Sequence, residues 1–421
     1  MTGPDTEVAA RPQLVITVNG PGEIAAWLYP LSVAVRRARP DIRICVCLLP
    51  CVFSSGAERG VLDGMETVDA VADVGQSFGL ILKDRLPDGF RRDVPTLMFH
   101  LGGETALTVL IARRLGCRMF GYAEAPPGWQ GRFERLFFSG LNKLPLAIPP
   151  EDIVGDMMVD AADLRRAAAR RDADGTATIG LFPGSRDYMV GPLLPFMAAA
   201  ADELARRRPA LRFVMAKSDF LDWDFLANLP RSDPGAEWAV SEVTLHREDG
   251  RAWLMTGAGT RIDVLTNAQV LAGADLAVSL PGTNTGEMGA AGLPSVVIVP
   301  LHMANRNAHQ TPLPGLPGHV GRIPLIGPPL QRFFAHQALK RTPLLSLPNR
   351  RAGRMIVPEL VGDLTPGDIA DTLETLLDGD RAALSAELRA AMGAGGAAAR
   401  LADEIDGYFR ALVPAAAPSN A

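Results

Sequence analysis

Three short stretches of this sequence bring glycines, hydroxyls, arginines and carboxylates together at spacings that suit a phosphorylated ligand. In "GLFPGSRDY" (180–188), Gly184, Ser185 and Arg186 follow an apolar run and precede a helical one. The glycine permits a tight turn, the helix end offers free N–H groups, and Arg186 adds a fork of donors matched to phosphate. The plainer alternative is an arginine paired with Asp187 or a loop carbonyl. In "LAVSLPGTNTGEMGAAG" (276–292), Gly282, Thr283, Asn284 and Thr285 form a turn whose hydroxyls and N–H groups can cradle a diphosphate. One turn in, Glu287 is placed to accept from two ribose hydroxyls. Asn284 and Glu287 also have capping-box spacing, so Glu287 serving its own helix stays open. The third stretch, "LSLPNRRAGRMIVPEL" (345–360), adds Asn349 and Arg354.

Near the N-terminus, "VNGPGEIAAW" (18–27) follows the apolar run Leu14–Thr17, and Gly20-x-Gly22-x-x-Ala25 fits the frame of a dinucleotide-binding turn. Such a turn needs an acid at the end of the second strand to bond the ribose. That strand, "IRICVCLL", ends in Pro50-Cys51-Val52, and Asp41 lies at its wrong end. Glu23 would also repel a pyrophosphate at the helix start. A nicotinamide or flavin site is therefore not expected. The turn is a sharp corner that aims Glu23 into a cleft, or lets it cap its own helix.

The elements that must hold these residues alternate along the chain. Strand-like runs at 13–18, 42–49, 95–100 and 117–122 are interleaved with helix-like runs at 24–38 and 104–115. A second series has strands at 178–182, 212–216, 276–280 and 295–299, with helices at 191–207, 265–273 and 285–292. The strands are short and apolar, as parallel strands buried on both faces are. "WAVSEVTLH" and "AWLMTG" flank Arg247–Gly250 and predict a hairpin. Residues 170–178 form a polar linker, 311–330 a Pro- and Gly-rich loop, and Thr365–Leu412 a helical tail broken at 393–399, with a disordered end after it. The expected fold class is α/β, with two Rossmann-like doubly wound parallel-sheet domains facing across a cleft. The expected domains are an acceptor-side domain over 1–170, a donor domain over 171–378, and C-terminal helices over 379–421 that pack back on the first.

Composition narrows the class. Forty-two Lys+Arg against 47 Asp+Glu leave a net charge of −5, so no global basic field points to nucleic acid. The four cysteines, Cys45, Cys47, Cys51 and Cys117, lack a second Cys or His cluster, and are expected as buried reduced thiols in a cytoplasmic protein. No signal peptide and no membrane-spanning run is evident.

Together the three motifs resemble the lipid-A-disaccharide synthase family, inverting glycosyltransferases of the GT-B fold that join a sugar from UDP-2,3-diacylglucosamine to a lipid X acceptor. The family's Pro-Gly-Ser-Arg matches Pro183–Arg186, and its Ser-Gly-Thr-x-Thr-x-Glu is met by Gly282–Glu287 with Pro281 in the serine's place. Its Ser-Leu-Pro-Asn-x-x-Ala-Gly-Arg is met by Ser346–Arg354, followed by Pro358-Glu359-Leu360. The resemblance implies a UDP-sugar donor held by Arg186, Arg354, the Gly282–Thr285 turn, Glu287 and Asn349. No Asp-x-Asp pair ends a strand, so neither metal nor cofactor is expected.

The first domain departs from that pattern. Gly22-Glu23 survives, but the family's following serine, glycine and aspartate do not. Where the family carries its presumed aspartate base, the chain reads "MFHLGGETALTV" (98–109). Glu104 is the first candidate base, with Glu23 and His100 behind it; Glu104 serves equally well as a helix-start carboxylate. The acceptor implied is a lipid-linked sugar. "RFERLFF" (132–138) is expected as a buried strand. Phe333, Phe334, Gln337, Lys340 and Arg341 in "LQRFFAHQALKR" (330–341) fit an interfacial helix peripheral on the inner face of the cytoplasmic membrane. His246, His302, His309, His319 and His336 show no ligand spacing. A homodimer stays open. The alternatives to glycosyl transfer are a UDP-sugar epimerase or hydrolase on the same scaffold, or a non-catalytic nucleotide-sugar binder.

Overall fold

The computed structural model describes residues 11–51, 54, 56–140, 148–168, 176–229, 240–301 and 344–412. The Pro-rich loop at 311–330, the segment 330–341, His302, His309, His319, His336, most of the 170–178 linker and the end after Leu412 lie outside the described residues.

The chain forms two units, residues 1–160 with 395–421, and residues 161–394. In the first, six parallel strands carry an apolar residue at almost every position: β1 (Gln13–Val18), β2 (Arg43–Leu48), β3 (Ala70–Ala72), β4 (Thr96–His100), β5 (Arg118–Ala123) and β6 (Arg135–Phe138). Their order is β3-β2-β1-β4-β5-β6, with Thr17 registered against both Cys47 and His100. The central strands β1 and β4 are buried at every position, as parallel strands covered on both faces are. Phe137 in β6 is fully buried, as a core strand there requires. Cys45 and Cys47 are likewise buried, and desolvation pushes both thiols up to about 12, which keeps them un-ionised.

Residues 73–83 show no alternation, yet Asp73 and Gln76 form a capping box that starts a helix over Val74–Lys83. The helical tail divides at Gly393 and Gly396, both at positive φ. Helix Arg381–Met392 packs within the second unit against helix Thr283–Ala291, whereas helix Ala397–Leu412 packs within the first against Tyr29–Ala38. Asp160 caps that last helix from outside, accepting from Ala398 N at 2.8 Å and from Gly396 N.

The second unit holds eight strands: β7 (Thr178–Phe182), β8 (Arg212–Lys217), β9 (Val243–Glu248), β10 (Arg251–Thr256), β11 (Arg261–Thr266), β12 (Leu276–Ser279), β13 (Ser295–Pro300) and β14 (Glu359–Gly362). The order is β14-β13-β12-β7-β8-β11-β10-β9. The predicted hairpin is β9–β10, turning at Asp249 and Gly250, both at positive φ as a two-residue turn demands. Strand β11 was not expected; it pairs parallel to β8, and Thr266 ends it by capping helix Asn267–Gly273.

Candidate functional site

Doubly wound sheets bind ligands beyond the carboxyl ends of their strands, where the strand order reverses. In the second unit the order reverses between β7 and β12, neighbours that register Phe182 against Ser279. Both strands end in glycine turns at positive φ, Gly184 at +114° and Gly282 at +143°. The residues singled out in the first two motifs therefore stand side by side at one sheet edge. Gly184, Ser185 and Arg186 are half-buried, and Arg186 is the last extended residue before helix Asp187–Arg207. Beyond Gly282, helix Thr283–Ala291 begins with no side chain capping it. Thr285 folds its hydroxyl back onto the Gly282 carbonyl at 2.7 Å.

The capping alternative for Glu287 is not what the structure shows. At 2 % exposure its carboxylate accepts from Arg165 Nη1 at 2.6 Å and Asn267 Nδ2 at 2.8 Å. A carboxylate has about four acceptor sites, so these two bonds leave capacity for a ribose hydroxyl. Arg165 and Asn267 carry no local signal; Arg165 lies 122 residues away in sequence.

The third motif is tied to this edge by Leu347 N, which donates to Thr285 Oγ1 at 3.1 Å. Gly289 lets helix Arg381–Met392 come close, since a Cβ there would stand 2.9 Å from Met392 Cγ. Asn349, expected to orient a nucleotide or sugar, is engaged within the protein. Asn349 is fully buried; its Nδ2 donates to Val357 O at 2.8 Å and Glu359 Oε1 at 2.7 Å. Its Oδ1 accepts from Ile356 N at 2.7 Å and Val357 N at 3.0 Å. All four hydrogen-bonding positions of the amide are used inside the protein. Glu359 completes the module by accepting from Leu345 N and Ser346 N. Arg354 is exposed and ion-paired with Glu387.

In the first unit the order reverses between β1 and β4. Asn19-Gly20 follows the one, and Gly102-Gly103 the other. Glu23 is half-buried in the short helix Pro21–Glu23, which continues into a π-helical turn over Ile24–Leu28. Glu104 is exposed at the start of helix Thr105–Leu115, where its side chain caps nothing. His100 sits deeper than a base would. Its Nδ1 bonds Thr108 Oγ1 at 2.9 Å and Thr17 Oγ1 at 3.3 Å, and burial pushes its pKa down to about 4. A buried imidazole of that basicity is a poor general base.

Among the described residues no helix is long and apolar enough to cross a membrane, and no group of three or more His, Cys, Asp or Glu could hold a metal.

No family model matches the chain. It is 31 % identical over 256 residues to a lipid-A-disaccharide synthase of Anaeromyxobacter dehalogenans, covering 59 % of this chain and 54 % of that one. It is 27 % identical over 323 residues to one of Trichlorobacter lovleyi, covering 69 % and 76 %. The chain thus spans about half the length of the first of these curated relatives. Among solved structures it is similar to Acinetobacter baumannii MurG, at 14 % identity and TM-score 0.44 over 94 % of this chain and all of that one. Two Rossmann-like sheets in one chain are the architecture of the GT-B class. Over part of its length the chain is similar to lipid-A-disaccharide synthases.

Proposed function

We propose that this chain is a glycosyltransferase that moves a hexosamine-type sugar from a UDP-sugar to a lipid-linked acceptor with inversion. The observation that carries this reading is the pair of positive-φ glycine turns at the β7/β12 switch point, set against an uncapped helix start. A diphosphate bound there meets backbone N–H groups of the Gly282–Thr285 turn and the Arg186 guanidinium. Both stabilise the charge that gathers on UDP as it leaves. Glu287, held by Arg165 and Asn267, accepts from the ribose. Arg354 joins by exchanging Glu387 for phosphate. On the acceptor side Glu104 and Glu23 are the carboxylates able to take the hydroxyl proton. Peripheral contact with the cytoplasmic membrane would bring the lipid-linked acceptor to the site.

Titration calorimetry with UDP tests this. Wild type should bind saturably, and Arg186→Ala should lose about 10-fold or more in affinity, the worth of one charge-assisted contact. UDP release from a UDP-hexosamine that requires an added acylated sugar acceptor would support transfer. Release without acceptor would mark a hydrolase or epimerase, and absence of UDP binding would overturn the donor site.

A further inference from the structure

The switch point of the first sheet carries its own polar slot. A Cβ built on Gly102 would stand 2.9 Å from Asn19 Oδ1 and 3.0 Å from Glu23 Cγ, so both side chains lie about one van der Waals contact from the same point. A Cβ on Gly20 would stand 3.0 Å from Glu23 Oε2 and 3.2 Å from Cys51 Sγ. A side chain at either glycine would press on these groups. Asn19 Oδ1 is buried and accepts no hydrogen bond among the described residues. Such orphan acceptors are few in native proteins, and each asks for a donor from elsewhere. The chain after Glu23 also runs through the Ile24–Leu28 π turn, a geometry that recurs at functional sites.

The Asn19 amide oxygen and the Glu23 stem border the same point at Gly102, with the Glu23 carboxylate reaching Gly20; both groups call for hydrogen-bond donors, and the carboxylate disfavours phosphate. We propose that Asn19 and Glu23 form a subsite for the neutral hydroxyl- and amide-bearing face of a sugar. Asn19 Oδ1 accepts one O–H or N–H, and the Glu23 carboxylate accepts from a neighbouring hydroxyl. This deepens the transferase reading by assigning the acceptor sugar's contacts to Asn19, a position that none of the three motifs includes.

The test is saturation-transfer NMR with N-acetylglucosamine as probe on wild type, Asn19→Ala and Gly102→Ala, with UDP titrated into the same three proteins. The Gly102 variant fills the slot without altering either polar group. Wild type should transfer saturation to the probe, both variants should lose at least fivefold of it, and UDP affinity should stay within twofold. No transfer in wild type, or equal transfer in all three, overturns the subsite, because Asn19 Oδ1 is then served by water. Parallel loss of UDP binding in the variants overturns it as well, since the residues then support the fold. Normal UDP binding with no sugar contact sinks the subsite alone. Sugar contact without UDP binding sinks the donor reading and leaves the subsite standing.

Discussion

Arg165 and Glu287 form a buried ion pair, 2.6 Å apart with side chains 14 % and 2 % exposed, at the helix proposed to receive the nucleotide. Removing one partner of such a pair leaves an uncompensated charge in the interior. Arg165→Met should therefore cost about 3–5 kcal/mol in urea unfolding. Pairing it with Glu287→Gln, which keeps the bond from Asn267, should recover part of that loss. A single variant as stable as wild type would show that the carboxylate is hydrated in solution.

Gly282 adopts φ +143° and ψ −164°, a region essentially restricted to glycine, and a Cβ there would touch nothing within 4 Å. The cost of Gly282→Ala is therefore backbone strain alone, about 1–3 kcal/mol. If the turn cradles a diphosphate, UDP affinity should fall at least tenfold, while thermal stability falls by no more than the strain predicts. Unchanged affinity would remove the turn from the donor site.

Asn349→Ala would strip partners from Ile356 N, Val357 N and Val357 O, and from one Glu359 oxygen. With a few buried groups each left unsatisfied, the loss should reach at least about 3 kcal/mol. Chemical denaturation should register this in the absence of any ligand. A variant with native stability and weakened UDP binding would restore Asn349 to the ligand.

Burial lowers the pKa of His100 from 6.5 to about 4. Above pH 6.5 the imidazole is neutral in both folded and unfolded chains, so it contributes no pH dependence. As pH falls from 6.5 to 4 the unfolded chain takes up a proton that the folded one refuses, and stability drops by about 3 kcal/mol. His100→Gln should flatten the profile in that window relative to wild type, as followed by urea midpoints at half-unit steps of pH. Superimposable slopes would mean that His100 is open to solvent.

Much of this architecture is legible in short windows. The apolar runs at 13–18 and 178–182 reappear as β1 and β7 with the same bounds, because a strand buried on both faces must be apolar along its length. The hairpin at Asp249-Gly250 is legible for a similar local reason: few residues tolerate two successive positive φ angles. The resemblance to lipid-A-disaccharide synthases rests on such windows too. Strand β11 escaped notice because Ile262, Val264 and Thr266 run straight into a capped helix without a break in pattern.

Other features belong to the tertiary structure alone. Strand order, which gathers Gly184 with Gly282 and Asn19 with Gly102, depends on how crossovers pack, and no window of neighbouring residues encodes it. Glu287 and Asn349 look alike in sequence as polar residues beside glycine turns. Burial separated them by what reached each one: Arg165 and Asn267 for the carboxylate, and a closed ring of amides, a carbonyl and Glu359 for the asparagine. A polar group inside a protein must find partners, and those partners come from whatever segment the fold brings alongside.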